Sequence, residues 1–263
     1  MASKHIFGGL FLVLAMLCAC QAACPADSPY AKLSPSHTRC KDDRGTDIPL
    51  TTADIKAIVD KHNEVRAAVS PPAANMQKMV WDEDLAETAA KWARVCTGNH
   101  EGLYIDRAEP KLPGVSIGQN MAFSSGFSGM MDAISNSFKK GWLDEKADFT
   151  YGQKTSKAVG HYTQMIAATT RLIGCGMADC SAVDNTYKQH KVCNYAVSQS
   201  SYVTPYTKAS SSCSACPGNC VNKLCDGCPV DKDDCGTWWQ YPFPPCRYPS
   251  VVTNCPNRCG LCG

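Results

Sequence analysis

Hydrophobic residues recur with helical spacing in four stretches of the chain. The first predicted helix begins with a pair that resembles a capping box, Thr51 and Asp54. The predicted faces of the helices comprise Ile55, Ile58, Val59, His62 and Val65; Leu85, Ala89, Trp92 and Cys96; Met131, Ile134, Phe138, Trp142 and Glu145; and the stretch Lys157 to Ala167. Strand-like stretches follow at 171–177 and 191–197. Because helices precede a few short strands, the pattern predicts α+β layers rather than repeated βαβ units.

Glu145 is an unusual residue on the apolar face of the third predicted helix. A carboxylate in that position needs a partner or a cleft, because burial of an unpaired charge is costly. The alternative is that Glu145 marks the end of the helix and faces water. The spacing alone does not separate the two interpretations.

Two histidines are candidates for metal chemistry. His161 stands in the segment Gly160 to Met165, and His100 follows Cys96. Together with Glu145 they could hold Zn²⁺ or another divalent cation with one coordination position open. Histidines this far apart in sequence are more often structural, so the spacing does not show that they meet.

The first residues have the features of a secretory signal peptide. Lys4 supplies a positive charge, and Ile6 to Leu17 is an apolar run interrupted only by two glycines. A membrane-spanning helix needs about 20 apolar residues, so this run is too short for an anchor. We expect cleavage near Ala22 and Ala23, and therefore a secreted protein without a transmembrane anchor.

The cysteine count agrees with export. The chain has 18 cysteines, of which Cys18 and Cys20 precede the expected cleavage site. The remaining even number is typical of disulfides in an oxidising compartment, although CxxC pairs also occur in zinc ribbons. Ten cysteines follow the polar run Lys208–Ser212, in what we call the cysteine-rich tail (residues 213–263). The formal net charge is only +2 with no basic stripe, so no nucleic-acid partner is expected.

Four segments, in their order and spacing, resemble signatures of the CAP superfamily, which includes cysteine-rich secretory proteins, antigen 5 venom allergens and plant pathogenesis-related proteins. They are His62-Asn-Glu-Val-Arg66, Trp81-Asp to Trp92-Ala-Arg-Val-Cys96, Gly160-His-Tyr-Thr-Gln-Met-Ile166 and Cys193-Asn-Tyr195. The tail resembles the hinge and the six-cysteine module of cysteine-rich secretory proteins, and that module is similar to sea-anemone potassium-channel toxins. The resemblance implies a three-layer α-β-α sandwich followed by a small disulfide-rich module.

The domain boundaries expected from this resemblance cover the whole chain. They are a signal peptide (1–22), an N-terminal extension (23–50), the CAP domain (51–208), a disulfide hinge (209–227) and the six-cysteine module (228–263).

The resemblance also implies a cleft with a tetrad of two histidines and two glutamates. Carried over, the tetrad is His100, Gln119, Glu145 and His161, with His100, Glu145 and His161 as metal ligands. Gln119 departs from the family pattern because an amide replaces a carboxylate. We therefore expect weak binding of Zn²⁺ or another divalent cation, and any chemistry that needs two carboxylates is put in doubt.

The family pattern implies a set of disulfides. They are Cys96–Cys180, Cys175–Cys193, Cys213–Cys220, Cys216–Cys225, Cys228–Cys262, Cys235–Cys255 and Cys246–Cys259. Cys24 and Cys40 remain, and we expect them to pair with each other.

Three functions compete. Trp238, Trp239, Tyr241 and Phe243 suit a target-binding surface for an extracellular protein, an ion channel by resemblance, unless they form the core of the tail. The stretch Met121–Met131 could instead cover a pocket for a sterol or fatty acid, or be an ordinary glycine-rich loop.

The third function is enzymatic. The chain could be a metal-dependent protease, or a hydrolase that uses Ser116 in Gly114-Val-Ser-Ile-Gly118. The lost carboxylate at Gln119 weakens the first reading, and the prolines before Ser116 weaken the second. The sequence leaves enzymatic activity undecided and favours a binding protein.

Overall fold

The computed structural model describes residues 24–135, 140–238 and 245–262. The expected signal peptide and Phe138 lie outside these ranges. Within them the helices are α1 (Pro29–Leu33), α2 (Thr52–Ala67), α3 (Glu83–Val95), α4 (Met131–Ile134), α5 (Gly160–Met165), α6 (Cys235–Trp238) and α7 (Pro249–Asn254). The strands are β1 (Thr46–Ile48), β2 (Val80–Trp81), β3 (Ile117–Ser124), β4 (Leu172–Asp179), β5 (Gln189–Ala196), β6 (Cys220–Val221) and β7 (Leu224–Cys225).

A central sheet carries the fold. Its strands have the order β1-β4-β5-β3 with antiparallel neighbours, and β2 pairs in parallel with β4. In this register Gln119 of β3 and Gly174 of β4 both lie opposite Asn194 of β5. Directly paired residues share a face, so the Gln119 side chain belongs to the face that α3 covers.

Helices cover both faces of the sheet, and the architecture is a three-layer α-β-α sandwich followed by a disulfide-rich tail. On one face, α3 packs against Ala178 and Val192. On the other, α2 and α5 contribute Ile58, Val65 and Met165 to a core with Ile173 and Tyr195, among others.

The capping box that begins α2 is the one expected from the sequence, and α3 also begins at a side-chain cap. The Asp54 amide donates to Thr51 Oγ1 (3.2 Å), and the Thr51 amide donates to Asp54 Oδ2 (2.9 Å). Asp82 Oδ1 accepts from the Leu85 amide at the start of α3. These bonds satisfy amides that lack partners in the first turn of a helix.

The third predicted helix is wrong as a continuous element. The structure has α4 and then a 3-10 turn at Trp142–Asp148, separated by Ser135 and Gly141 in extended conformations. The Gly141 amide donates to Asp144 Oδ2 (2.7 Å), so a new turn begins at this glycine. The fourth helix is also shorter than predicted, because α5 begins at Gly160 and Val159 lies outside the helical region.

Residues 24–50 take part in the sandwich. Strand β1 pairs with β4, and Ser34 Oγ donates to Asp106 Oδ1 (2.6 Å). The buried side chains of this segment include polar ones that are hydrogen-bonded to the sandwich, so the segment has no hydrophobic periodicity.

Eight disulfides join the cysteines of the described residues. They are Cys24–Cys40, Cys96–Cys180, Cys175–Cys193, Cys213–Cys220, Cys216–Cys225, Cys228–Cys262, Cys235–Cys255 and Cys246–Cys259. These are the pairs that the family resemblance and the leftover cysteines imply.

The tail packs on the sandwich. Val251, Val252 and Leu261 are buried in one cluster with Leu112 and Leu172, among others. No helix among the described residues is long and apolar enough to cross a lipid bilayer.

Candidate functional site

His100 and Gln119 form the first pair of the candidate site. His100 follows the left-handed end of α3 at Cys96 (φ 54°), and Gln119 lies on β3. His100 Nδ1 lies 2.6 Å from Gln119 Oε1. Gln119 Nε2 donates to Glu101 Oε1 (3.2 Å) and Asn194 Oδ1 (3.0 Å), which fixes the orientation of the amide. Since Gln119 Oε1 can only accept, Nδ1 of a neutral His100 carries the proton and Nε2 carries the lone pair.

Glu101 is a buried carboxylate that supports this pair. Arg107 Nη1 donates to Glu101 Oε2 (3.0 Å), and Thr38 Oγ1 donates to Glu101 Oε1 (3.0 Å). Arg107 also donates to the Ile117 carbonyl at the start of β3. The sequence reasoning missed Glu101 and Arg107, although Glu101 directly follows His100.

Glu145 and His161 form the second pair. His161 Nδ1 lies 2.7 Å from Glu145 Oε1, and the Tyr162 amide donates to Glu145 Oε2 (3.0 Å). The Trp142 ring stacks on the imidazole with 5.9 Å between centroids. Burial raises the pKa of Glu145, but the hydrogen bonds from His161 and Tyr162 outweigh burial and lower it overall. Of the two interpretations of Glu145, the structure supports the one with a partner.

A buried polar network lies behind His161. The Ile58 carbonyl accepts from His62 Nδ1 (2.8 Å), so His62 Nε2 accepts from the Tyr195 hydroxyl (3.0 Å). Asn120 Nδ2 donates to that hydroxyl and to the His161 carbonyl (3.1 Å). Burial lowers the pKa of His62 to about 4, which keeps the imidazole neutral. This network ties the start of α5 to β3, a role that the sequence motifs did not reveal.

The two pairs line two different concavities. His100 and Gln119 line one of about 500 Å³, and Glu145 and His161 line another of about 570 Å³. The second is also lined by residues 121–124 and 126–128, the stretch that the sequence singled out as a pocket cover.

The structure does not gather His100, Glu145 and His161 into one compact set of ligands. Within the part of the chain that it describes, three ligand atoms lie within 4.8 Å of one another at Cys96, Cys180 and His190, and at Cys213, Cys216 and Cys225. All of these cysteines are in disulfides and offer no thiolate.

Ser116 does not stand on a nucleophile elbow. Such an elbow needs a strand before the serine and a helix after it. Here turns precede Ser116 and β3 follows it. The hydrolase interpretation is therefore wrong.

The proposed target-binding aromatic residues are mostly outside the described residues. Trp239, Tyr241 and Phe243 are not among the described residues, and for Trp238 only the backbone is described. The cysteines that bracket this segment, Cys235 and Cys246, are both buried.

Comparisons with known proteins agree with the fold. The profile described as the cysteine-rich secretory protein family (CAP) matches residues 59–195. The chain is 35% identical to the cysteine-rich venom protein Mr30 of Conus marmoreus, with 90% of each chain covered. It is 33% identical to cysteine-rich secretory protein 2 of Cavia porcellus, covering 83% of this chain and 80% of the relative. Among solved structures, NaASP2 with Zn²⁺ is 26% identical with a TM-score of 0.53, covering 67% of this chain and 96% of that one.

Proposed function

Because the chain belongs to the cysteine-rich secretory protein family, we propose that it is a secreted, non-enzymatic binding protein that recognises an extracellular protein target, such as an ion channel, through its cysteine-rich tail. Relatives named as venom and secretory proteins support export.

The buried core of the described tail is the observation that carries this proposal. Val251, Val252 and Leu261 pack on the sandwich together with the cystines. These residues and the disulfides stabilise the described parts of the tail, which lie in the sequence on both sides of the aromatic segment at 238–243. The disulfides Cys235–Cys255 and Cys246–Cys259 hold both ends of that segment. Aromatic side chains presented by a rigid scaffold are the usual anchors of a protein interface.

Patch-clamp recording with the full oxidised chain tests the proposal. At micromolar concentration it should change the current of at least one channel in a panel, and the triple variant Trp239→Ala, Tyr241→Ala, Phe243→Ala should lose the effect. Phe127→Ala is the control, since this exposed aromatic residue lies on the sandwich. Unchanged currents across the panel would contradict the channel as target, and full activity of the triple variant would contradict the assignment to the tail.

Binding of a sterol or fatty acid is a second candidate function. Its support is the 570 Å³ concavity, whose lining includes Met121, Phe123, Phe127 and Trp142. Such apolar walls with a few polar groups suit a lipid. Exchange of labelled cholesterol and palmitate should then be slowed by Phe127→Asp and unaffected by Tyr248→Asp, an exposed position in the tail. Absence of exchange by the wild-type chain would exclude lipid carriage.

We propose that His100 and His161 bind zinc weakly. Each donates through Nδ1 to an oxygen, as histidines that bind a metal through Nε2 commonly do, so the donor chemistry fits. The separate concavities and the neutral Gln119 favour low affinity. Titration calorimetry should show weak zinc binding that is reduced in His100→Ala and in His161→Ala, and an absence of binding by the wild-type chain would contradict the proposal. A metal-dependent protease would in addition have peptidase activity that a chelator removes, and an unchanged activity would reject that mechanism.

A further inference from the structure

We infer that the concavity beside His100 is a binding site for a neutral saccharide. The inference does not depend on target recognition by the tail, because every residue that carries it belongs to the sandwich. The volume of about 500 Å³ lies within the range of roughly 300–1,000 Å³ that is usual for small-ligand sites.

The charge of the lining argues for a neutral ligand. The lining contains one carboxylate, Glu101, and one guanidinium, Arg107, and these two neutralise each other at 3.0 Å. Gln119 adds an amide where the family pattern has a carboxylate. A sulfate or phosphate group would find no unpaired cation among these residues, and an ammonium group would find no unpaired anion.

The character of the lining argues against a lipid. Besides the charged pair it consists chiefly of amide, hydroxyl and imidazole side chains, among them Gln164, Ser198 and Gln199. A sterol or acyl chain would desolvate these groups without giving them hydrogen bonds, which is unfavourable. Hydroxyl groups of a sugar can both donate to and accept from them.

Two exposed tyrosines supply flat apolar surfaces for the sugar ring. Tyr104 is 70% exposed and Tyr202 is 59% exposed, and both line the concavity. The Arg107 guanidinium lies 5.0 Å from the centre of the Tyr104 ring, which holds that ring in place from the protein side. Tyr202 lies beside Gly160, close enough that a Cβ at that position would be in ordinary van der Waals contact with its ring. The weakly positive C–H face of a pyranose stacks favourably on the negative face of an aromatic ring.

The polar groups in the concavity are held in fixed orientations. Gln119 is fixed by Glu101 and Asn194, and Gln164 Nε2 donates to Thr170 Oγ1 (3.1 Å) and the Val197 carbonyl. Gln164 Oε1 accepts from the Gln199 amide (3.0 Å). The tautomer of His100 leaves Nε2 as an acceptor for a sugar hydroxyl. Preorganisation of this kind lowers the entropic cost of binding a polar ligand.

A binding screen with defined oligosaccharides tests the inference. We would titrate the full oxidised chain with maltotetraose, cellotetraose, mannotetraose and chitotetraose, using saturation-transfer NMR and calorimetry. At least one should bind, and Tyr104→Ala and Tyr202→Ala should each weaken it by about tenfold, the loss of one stacking contact. Tyr187→Ala is the matched control, because this half-exposed tyrosine packs on Phe123 outside the concavity. The Tyr187→Ala variant should bind the sugar with the affinity of the wild type.

Salt and chelator complete the test. Binding of a neutral sugar should be unchanged in 0.5 M salt and in EDTA. Binding of a sulfated glycan should weaken in the salt, and binding through a metal should be lost in EDTA. The inference is overturned if none of the four sugars binds, if binding requires sulfated or sialylated glycans, or if both tyrosine variants bind as well as the wild type. Circular dichroism of the variants would show that any loss is not due to unfolding.

Discussion

At the scale of single residues, Arg66 shows how a charge is accommodated inside this sandwich. Its side chain is 1% exposed and donates to the carbonyls of Gln77, Met165, Ala167, Ala168 and Thr170. Burial lowers its pKa to about 9, so the guanidinium is still charged at neutral pH. The residue thus joins α2 to the segment before β2 and to the end of α5 with the residues that follow it, through backbone oxygens rather than through a counter-ion.

Replacement of Arg66 should be strongly destabilising. Arg66→Met leaves five buried carbonyls without this donor and should lower the free energy of unfolding by about 3–5 kcal/mol. Arg66→Lys keeps the charge but not the planar set of donors, so it should recover part of the loss. Urea denaturation measures both, with Arg94→Met as the control. The ion pairs of Arg94 with Asp43 and Asp47 are at the surface and should contribute about 1 kcal/mol or less. Equal losses at both positions would contradict this account.

Glu109 predicts a pH dependence of stability. Glu109 is 1% exposed, and burial raises the pKa of its carboxyl to about 8, against the smaller lowering effects of Thr88 and Arg39. The native state therefore keeps a proton that the unfolded state loses at its ordinary pKa. Stability should fall as the pH rises from about 4.5 to about 8 and then level off, by on the order of 5 kcal/mol for this group. Glu109→Gln should remove that component from denaturation curves recorded across this range, and an identical pH profile in the variant would refute it.

The residues of the candidate site were predictable in identity but not in arrangement. The motif positions of His100, Gln119, Glu145 and His161 could be carried over because their order along the chain matches the family. Their division into two hydrogen-bonded pairs depends on side-chain orientation, which spacing does not encode. Glu101 was missed for the same reason, since its partners Thr38 and Arg107 are brought to it only by the fold.

At the scale of elements, sequence periodicity was reliable where one face of a helix is continuously buried. Helix α2 begins at the capping pair that was predicted, and α2 and α3 bury Ile58 and Leu85 as expected. The prediction of a continuous third helix was wrong, because a local hydrogen bond starts a new turn within the stretch that has helical apolar spacing. The Gly141–Asp144 bond starts a separate turn, and that turn aims Glu145 at His161.

The close approach of α3 to the sheet predicts a large effect of a single methyl group. A Cβ on Gly174 would overlap the backbone of α3 at Ala86. Gly174→Ala should therefore lower the free energy of unfolding by about 3 kcal/mol or reduce the folded yield, because neither the helix nor the sheet can give way. Gly126→Ala, at a glycine with nothing nearby, is the control and should be neutral. Thermal denaturation of the two variants compares them, and similar melting temperatures would show that the packing is looser than described.

At the scale of the whole molecule, the tail was predictable as a disulfide scaffold but not as a packed part of the sandwich. The Cys225 amide donates to the Met76 carbonyl (2.8 Å), and the Lys78 amide donates to the Cys225 carbonyl (3.0 Å). Lys78 also forms an ion pair with Asp226 at 2.7 Å. Gly260, at φ 75°, comes against the Lys111 carbonyl. Contacts between such distant segments leave no local signal in the sequence. The sequence shows only the boundary between sandwich and tail, as the polar run at 208–212.

Loss of the Cys228–Cys262 disulfide should separate the stability of the tail from that of the sandwich. This bond spans 34 residues and encloses the other two disulfides of the six-cysteine region. The double variant Cys228→Ser, Cys262→Ser should lose about 2–5 kcal/mol from the tail, because the unfolded segment regains the freedom that the cross-link removes. Limited proteolysis should then cut the tail while the sandwich stays intact. The pair Cys24→Ser, Cys40→Ser is the control and should leave cleavage of the tail unchanged, since that bond lies in the N-terminal segment. Wild-type thermal stability and protease resistance in the tail variant would mean that packing on Leu112 and Leu172 holds the tail without its outermost cross-link.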